Sequence, residues 1–149
     1  MEGLLKNIKL SVINAQIDNS TGSTDTTGVG YVDMAGYDGV LLVGIPSEVI
    51  AGGVMGMYPY TGASVALLAT GSTAVYAGTT LATTAMEEMV WALDLVKPLT
   101  RYISARWDKA TAASGGAILA IQYNATKNPV AQSTELYGCF DAQTFAGAT

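Results

Sequence analysis

The side chains able to do acid–base or metal chemistry are few in this chain, and their spacing is poor. There is no histidine. That removes the commonest general base and metal ligand, and with them any Ser-His or Cys-His nucleophile pair. Cys139 is the only cysteine, so neither an intramolecular disulfide nor a cysteine-based metal site can form. Next to Phe140 it reads as a small hydrophobe. Carboxylates are left. Glu87 and Glu88 are adjacent, and neighbours on a strand point to opposite faces. Asp33 and Asp38 flank a turn and could approach as an acid–base pair, although the ordinary role of such residues is to accept hydrogen bonds from turn amides. Asp18 to Asp25 is rich in oxygen but does not follow the calcium-loop pattern. No glycine-rich phosphate loop is present. Asn19-Ser20-Thr21 and Asn124-Ala125-Thr126 match a glycosylation triplet, which matters only in a secreted protein. Tyr31, Tyr58, Tyr60 and Trp107 could form platforms for a sugar, against a default of core or interface packing. These residues predict no catalytic group, no cofactor and no metal.

The elements that would have to position any site are strands. Met89 to Trp107 holds both tryptophans and the most regular apolar pattern. Trp91, Leu93 and Leu95 fall on one face of a first strand, and Ile103, Ala105 and Trp107 on one face of a second. Lys97-Pro98-Leu99-Thr100 separates them, because proline cannot donate to a ladder. The stretch reads as a packed hairpin with Asp94, Arg101 and Arg106 as surface or interface groups. Thr84 to Val96 also carries helical spacing and a capping box at Thr84-Ala85-Met86-Glu87.

Before it, Ile8, Leu10 and Val12 alternate with Asn7, Lys9 and Ser11 as a half-buried strand. Asn14 to Gly30 is a polar loop, and Tyr31 to Met34 a short strand. Val40 to Ile45 is a continuous apolar run, predicting a strand buried on both faces and ended by Pro46. Val54 to Tyr60 is a strand ended around Pro59 to Gly62. Ala63 to Thr70 alternates Val65 and Leu67 with Ser64 and Ala66, and a short strand is expected around Ala74-Val75-Tyr76. Lys109 to Gly116 reads as a turn and Ala117 to Tyr123 as a strand. The sum is an all-β chain of about eight strands, an antiparallel β-sandwich or jelly roll with extended terminal arms. Residues 1–123 form the core with its N-terminal strand. Residues 124–149 form an extended C-terminal arm whose Val130, Leu136, Tyr137 and Phe140 would pack on a neighbouring surface, the alternative being a tail folded back on its own domain.

The chain has 149 residues, 50% of them hydrophobic and 13% charged, with 17 glycines. This suits a single β-rich domain and excludes wholesale disorder. A net charge of −5 argues against a surface for nucleic acid, which needs clustered Lys and Arg. No apolar run approaches the roughly 20 residues of a membrane span. Met1 to Lys6 lacks the pattern of a signal peptide, so synthesis and use in a reducing cytoplasm are expected.

Asp33-Met34-Ala35-Gly36-Tyr37-Asp38-Gly39-Val40-Leu41, then Leu93-Asp94-Leu95 with Pro98 and Arg101-Tyr102-Ile103, then Ala117 to Tyr123 and Pro129-Val130 resemble a family of small virion proteins of tailed bacteriophages. The resemblance lies in the order and spacing of these stretches from Ile8 to Val130. Gly62 to Thr84 departs from the family pattern. The resemblance implies a non-enzymatic capsid cement or decoration protein, a homo-oligomer on the capsid exterior with the major capsid protein as its partner. Arg101, Tyr102, Arg106, Val130, Leu136, Tyr137 and Phe140 are the expected interface residues. The alternatives are a tail, connector or fibre component, or a carbohydrate-binding β-sandwich module.

Overall fold

A computed structural model of the chain describes residues 7–14, 30–48, 54–70, 90–111 and 114–126. Among them the elements run β1 (Lys9–Asn14), β2 (Val32–Asp33), β3 (Tyr37–Glu48), β4 (Val54–Gly62), α1 (Val65–Thr70), β5 (Trp91–Val96), β6 (Tyr102–Thr111) and β7 (Ser114–Ala125). They form a four-stranded sheet in the order β1-β7-β3-β5 and a three-stranded sheet in the order β2-β6-β4. Every neighbouring pair is antiparallel. The fold is an all-β sandwich, as the alternating apolar pattern predicts.

The core lies between the sheets. Val40, Leu42, Ile118 and Ala120 from one sheet meet Ile103, Ala105 and Trp107 from the other, all at 0% exposure. Burying a side chain of the size of Leu42 or Ile103 contributes about 1.5–3 kcal/mol. Trp107 is the largest of them. Its indole N–H donates to the Gly116 carbonyl at 2.8 Å, and its ring meets Trp91 edge-on at 5.8 Å. Glycine at position 44 makes room for it: a methyl there would lie 2.7 Å from a Trp107 ring carbon and 2.8 Å from the Met57 sulfur. Gln122 is fully buried as well. Its side-chain amide donates to the Asp33 carbonyl at 2.8 Å and so ties β7 to β2.

Several elements differ from the sequence reading. Met89 to Trp107 does not form a hairpin: β5 and β6 belong to different sheets, and the Lys97–Arg101 turn carries the chain from one layer to the other. The apolar faces therefore meet across the core, which places Trp91 against Trp107. Pro46 does not end its strand. β5 pairs with β3 only from Gly39 to Gly44, so Pro46 lies beyond the end of β5, where a missing N–H costs no ladder bond. Pro59 is tolerated inside β4 because β4 is a sheet edge. Val65–Thr70, the Ala- and Leu-containing run after Ser64, forms a six-residue helix instead of a strand; serine is an N-cap residue type, and Ala and Leu favour helix. Lys109 to Gly116 is strand over most of its length rather than turn, and β7 continues past Tyr123 to Ala125. Trp91–Val96 is strand, which settles that half of the ambiguous segment. The segments 71–89 and 127–149, with the strand expected near Val75, the capping box and Val130, Leu136, Tyr137 and Phe140, lie outside the described residues.

Candidate functional site

The two outward faces of the sandwich have different chemistry. On the four-stranded sheet, cross-strand partners share a face, so the register fixes which side chains point away from the core. Leu10 and Val12 of β1 stand beside Ile121 and Leu119 of β7. Those stand beside Leu41 and Val43 of β3, which are followed by Asp94 and Ala92 of β5. Leu10, Val12, Leu41, Val43, Leu119 and Ile121 are half-buried, and Ile45 on the same face is 42% exposed. An antiparallel sheet that faces water ordinarily alternates apolar with polar residues. This sheet is apolar on both sides. Of the run Val40–Ile45, which predicts burial on both faces, Val40 and Leu42 enter the core, and Leu41 and Val43 on the other face are half-buried among the described residues. Leu10 and Val12, expected to share one side, do so, and the register puts that side outward. A bulge between Val12 and Asn14 then brings Ile13 and Asn14 into the interior at 2% and 1% exposure.

One polar link crosses this face. The Tyr123 hydroxyl donates to Asp94 Oδ1 at 2.6 Å. Its ring lies over Gly39, where any side chain would collide with it. The hydrogen bond to Asp94 pushes the Tyr123 pKa up to about 12, with burial adding in the same direction. The link spans β7, β3 and β5 and braces the outermost strand.

The outward face of the three-stranded sheet is aromatic and basic. The register sets Tyr58 opposite Arg106, Tyr60 opposite Ser104 and Gly62 opposite Tyr102 on β4 and β6, with Asp33 opposite Tyr102 on β2. The Arg106 guanidinium lies over the Tyr60 ring at 4.3 Å. Tyr31 meets Tyr102 edge-on at 5.8 Å, and Arg101 sits 5.3 Å from the Tyr102 ring. Arg101 also grips Asp33 with two hydrogen bonds, Nε to Oδ1 at 2.8 Å and Nη2 to Oδ2 at 2.7 Å. Asp33 Oδ1 accepts the Ala35 amide at 2.9 Å in addition. The Arg101 contact holds the Asp33 carboxyl below its usual range, with the Ala35 amide helping and burial opposing. Asp33 thus fills the turn-capping role and is occupied by Arg101 rather than paired with Asp38.

Of the seven expected interface residues, Tyr102 and Arg106 share this face with Arg101 beside them. Of the four aromatic candidates for a sugar platform, Tyr31 and Tyr58 share it too, while Tyr60 on the same side is buried at 8% exposure beneath Arg106. Trp107 is in the core at 0% exposure. The apolar residues of the opposite face do not stand out in the sequence as a surface. Their signal was present in the two runs Val40–Ile45 and Ala117–Ile121, which are apolar at odd and even positions alike.

At one end of the sandwich, the turn around Ala35 and the Lys97–Arg101 turn enclose an open cleft of about 430 Å³, lined by Tyr37, Asp38, Lys97, Leu99 and Thr100 among others. Burial raises the Tyr37 pKa. Gly36 takes φ +88° in the first turn, where L side chains are disfavoured, and its carbonyl accepts the Thr126 amide at 2.9 Å. Among the described residues, no group of three or more Cys, Asp or Glu comes together to hold a metal ion. No described helix is long and apolar enough to cross a membrane. One outward face offers apolar contact, the other tyrosine and arginine. No protein-family model and no curated protein matches the chain.

Proposed function

We propose that this chain is a non-enzymatic virion structural protein that binds and stabilises the outer surface of a phage capsid, as a cement or decoration protein does. The carrying observation is the apolar outward face of the four-stranded sheet, built by Leu10, Val12, Leu41, Val43, Leu119 and Ile121. Large contiguous apolar surface on a soluble domain marks an interaction site. A cement protein works by laying a rigid face across seams between shell subunits, and a lattice repeats each modest contact many times. The partner is the major capsid protein, and the net charge of −5 suits the shell exterior, away from packaged DNA. On this reading the protein is made in the host cytoplasm, resides on the virion and acts as a homo-oligomer. The opposite face contributes Tyr102, Arg101 and Arg106, residue types enriched where binding energy concentrates.

The test is co-sedimentation of purified protein with capsids of its phage that lack it. Saturable binding is expected, and Ile121→Lys, which leaves the core side of β7 untouched, is expected to weaken it at least tenfold. No binding by the wild-type protein would sink the proposal. The gathering of Tyr31, Tyr58 and Tyr102 on one face favours, as a second reading, a carbohydrate-binding module. A glycan array with no binder would dismiss it.

A further inference from the structure

Among the described residues the two sheets end at β1, β5, β2 and β4, and three of these ends are blunted or engaged. β4 carries Pro59, which has no N–H to offer an added strand. β2 is only two residues long. β1 is bulged between Val12 and Asn14, its Ile13 carbonyl accepts the Gly30 amide at 2.6 Å, and its Ile8, Leu10, Val12 and Asn14 are already engaged. Bulges, prolines and short strands are the usual devices that keep sheet edges from pairing with other chains. β5, six residues long, has none of them. Among the described residues nothing pairs with its outer side, where it ends the four-stranded sheet.

The direction of its free backbone groups follows from one bond. The Lys97 amide donates to the Asp38 carbonyl at 2.7 Å, toward β3. Alternation along an antiparallel strand then turns Leu95, Leu93 and Trp91 toward β3, and Val96, Asp94, Ala92 and Val90 toward the open edge. The same four outward residues carry exposed side chains, with Val90 at 62% and Val96 at 63%. Lys97 at φ 50° and Pro98 stop the strand at its far end.

We propose that β5 is a docking edge for a second copy of this chain, the two β5 strands pairing antiparallel about a two-fold axis at Leu93. An isologous contact sets one strand against itself, and matching of faces allows only registers that differ by two residues. Centred on Asp94, the pairing would set Asp94 against its own copy, and like charges directly opposite are destabilising. Centred on Ala92, it would set Val90 against Asp94 and carry Val96 past the described strand. Centred on Leu93, Ala92 meets Asp94, Val90 meets Val96, and all four outward residues find hydrogen-bonding partners. The two four-stranded sheets become one continuous sheet, and its apolar outward face doubles. Strand addition of this kind draws its affinity from main-chain hydrogen bonds and its specificity from alternate side chains. The contact is small, so weak self-association is expected in solution and stronger pairing where a lattice holds copies side by side.

The experiment is sedimentation velocity of the full chain from about 5 to 100 µM, concentrations that bracket a weak dimer. It concerns the free protein and so stands or falls apart from capsid binding. The wild type is expected to move from 15.4 kDa toward twice that mass. Ala92→Pro removes an N–H that the monomer does not use, so it should keep the circular dichroism of the wild type and weaken dimerisation at least tenfold. Val90→Glu should weaken it too, and adding Val96→Lys should restore it, because the register sets those positions opposite each other. A wild type that stays monomeric at 100 µM would overturn the proposal. So would a closed trimer, an Ala92→Pro variant that folds and still dimerises, or a double variant that fails to recover.

Discussion

The Tyr123–Asp94 link makes a prediction that can be worked through from its geometry. The Tyr123 hydroxyl reaches Asp94 from across the sheet, over Gly39, with a 2.6 Å hydrogen bond to a carboxylate. Hydrogen bonds to charged groups contribute about 1.5–3 kcal/mol when shielded, but Asp94 is exposed, and solvent screening brings the expected figure to about 0.5–1 kcal/mol. Tyr123→Phe keeps the ring over Gly39 and removes only the hydroxyl. It should lower the thermal midpoint by roughly 2 °C at pH 7, given about 2–4 °C per kcal/mol for a domain of this size. The sign with pH is fixed. The native pKa is raised from 10.0 to about 12, so the stabilisation is fully present below pH 10 and is lost as pH rises from 10 to 12. Urea titrations of wild type, Tyr123→Phe, Asp94→Ala and the double variant at pH 7 and near pH 11.5 form the assay. A positive coupling energy at pH 7 that shrinks at the higher pH is expected. Zero coupling at pH 7, or an equal coupling at both, would refute the argument that this bond braces β5.

Three other outcomes follow from the packing. Gly44→Ala puts a methyl against Trp107 and Met57 in a filled core, and should cost about 1–3 kcal/mol in urea unfolding. Trp107→Ala empties the largest fully buried site and leaves the Gly116 carbonyl without its donor, for an expected loss of about 3–5 kcal/mol. Asp33→Asn removes a carboxyl whose native pKa lies below its ordinary 3.8. Wild type should exceed the variant in urea midpoint at pH 7, and that advantage should fade as pH falls through and below about 4.

The sequence made the sandwich legible where period two was undiluted. Ile103, Ala105 and Trp107 are all fully buried, as their spacing requires. It misled where a local signal was overridden by position in the sheet. Pro46 and Pro59 read as stops, yet each sits where its missing N–H faces no neighbouring strand, a fact set by strand order rather than by the tripeptide around it. The Met89–Trp107 stretch looked like a hairpin because a turn joins two strands. Which sheet each strand enters depends on partners far along the chain. The outward apolar face was half legible: Val40–Ile45 announced burial on both sides, but only the register of β1, β7 and β3 shows that the second side is one continuous surface. Arg101, Tyr102 and Arg106 read from the sequence as surface or interface groups. Two of them point outward from β6 by register, while Arg101 turns out to be held by Asp33, a contact between residues 68 apart in sequence.

The central claim is that the outward face of the four-stranded sheet lies on a capsid. An electron-microscopy map of the assembled phage particle at side-chain resolution tests it most directly. The account predicts density for this chain on the outer head shell, with Leu41, Leu119 and Ile121 against capsid subunits. A protein absent from the shell, or one bound with that face turned to solvent, would contradict it.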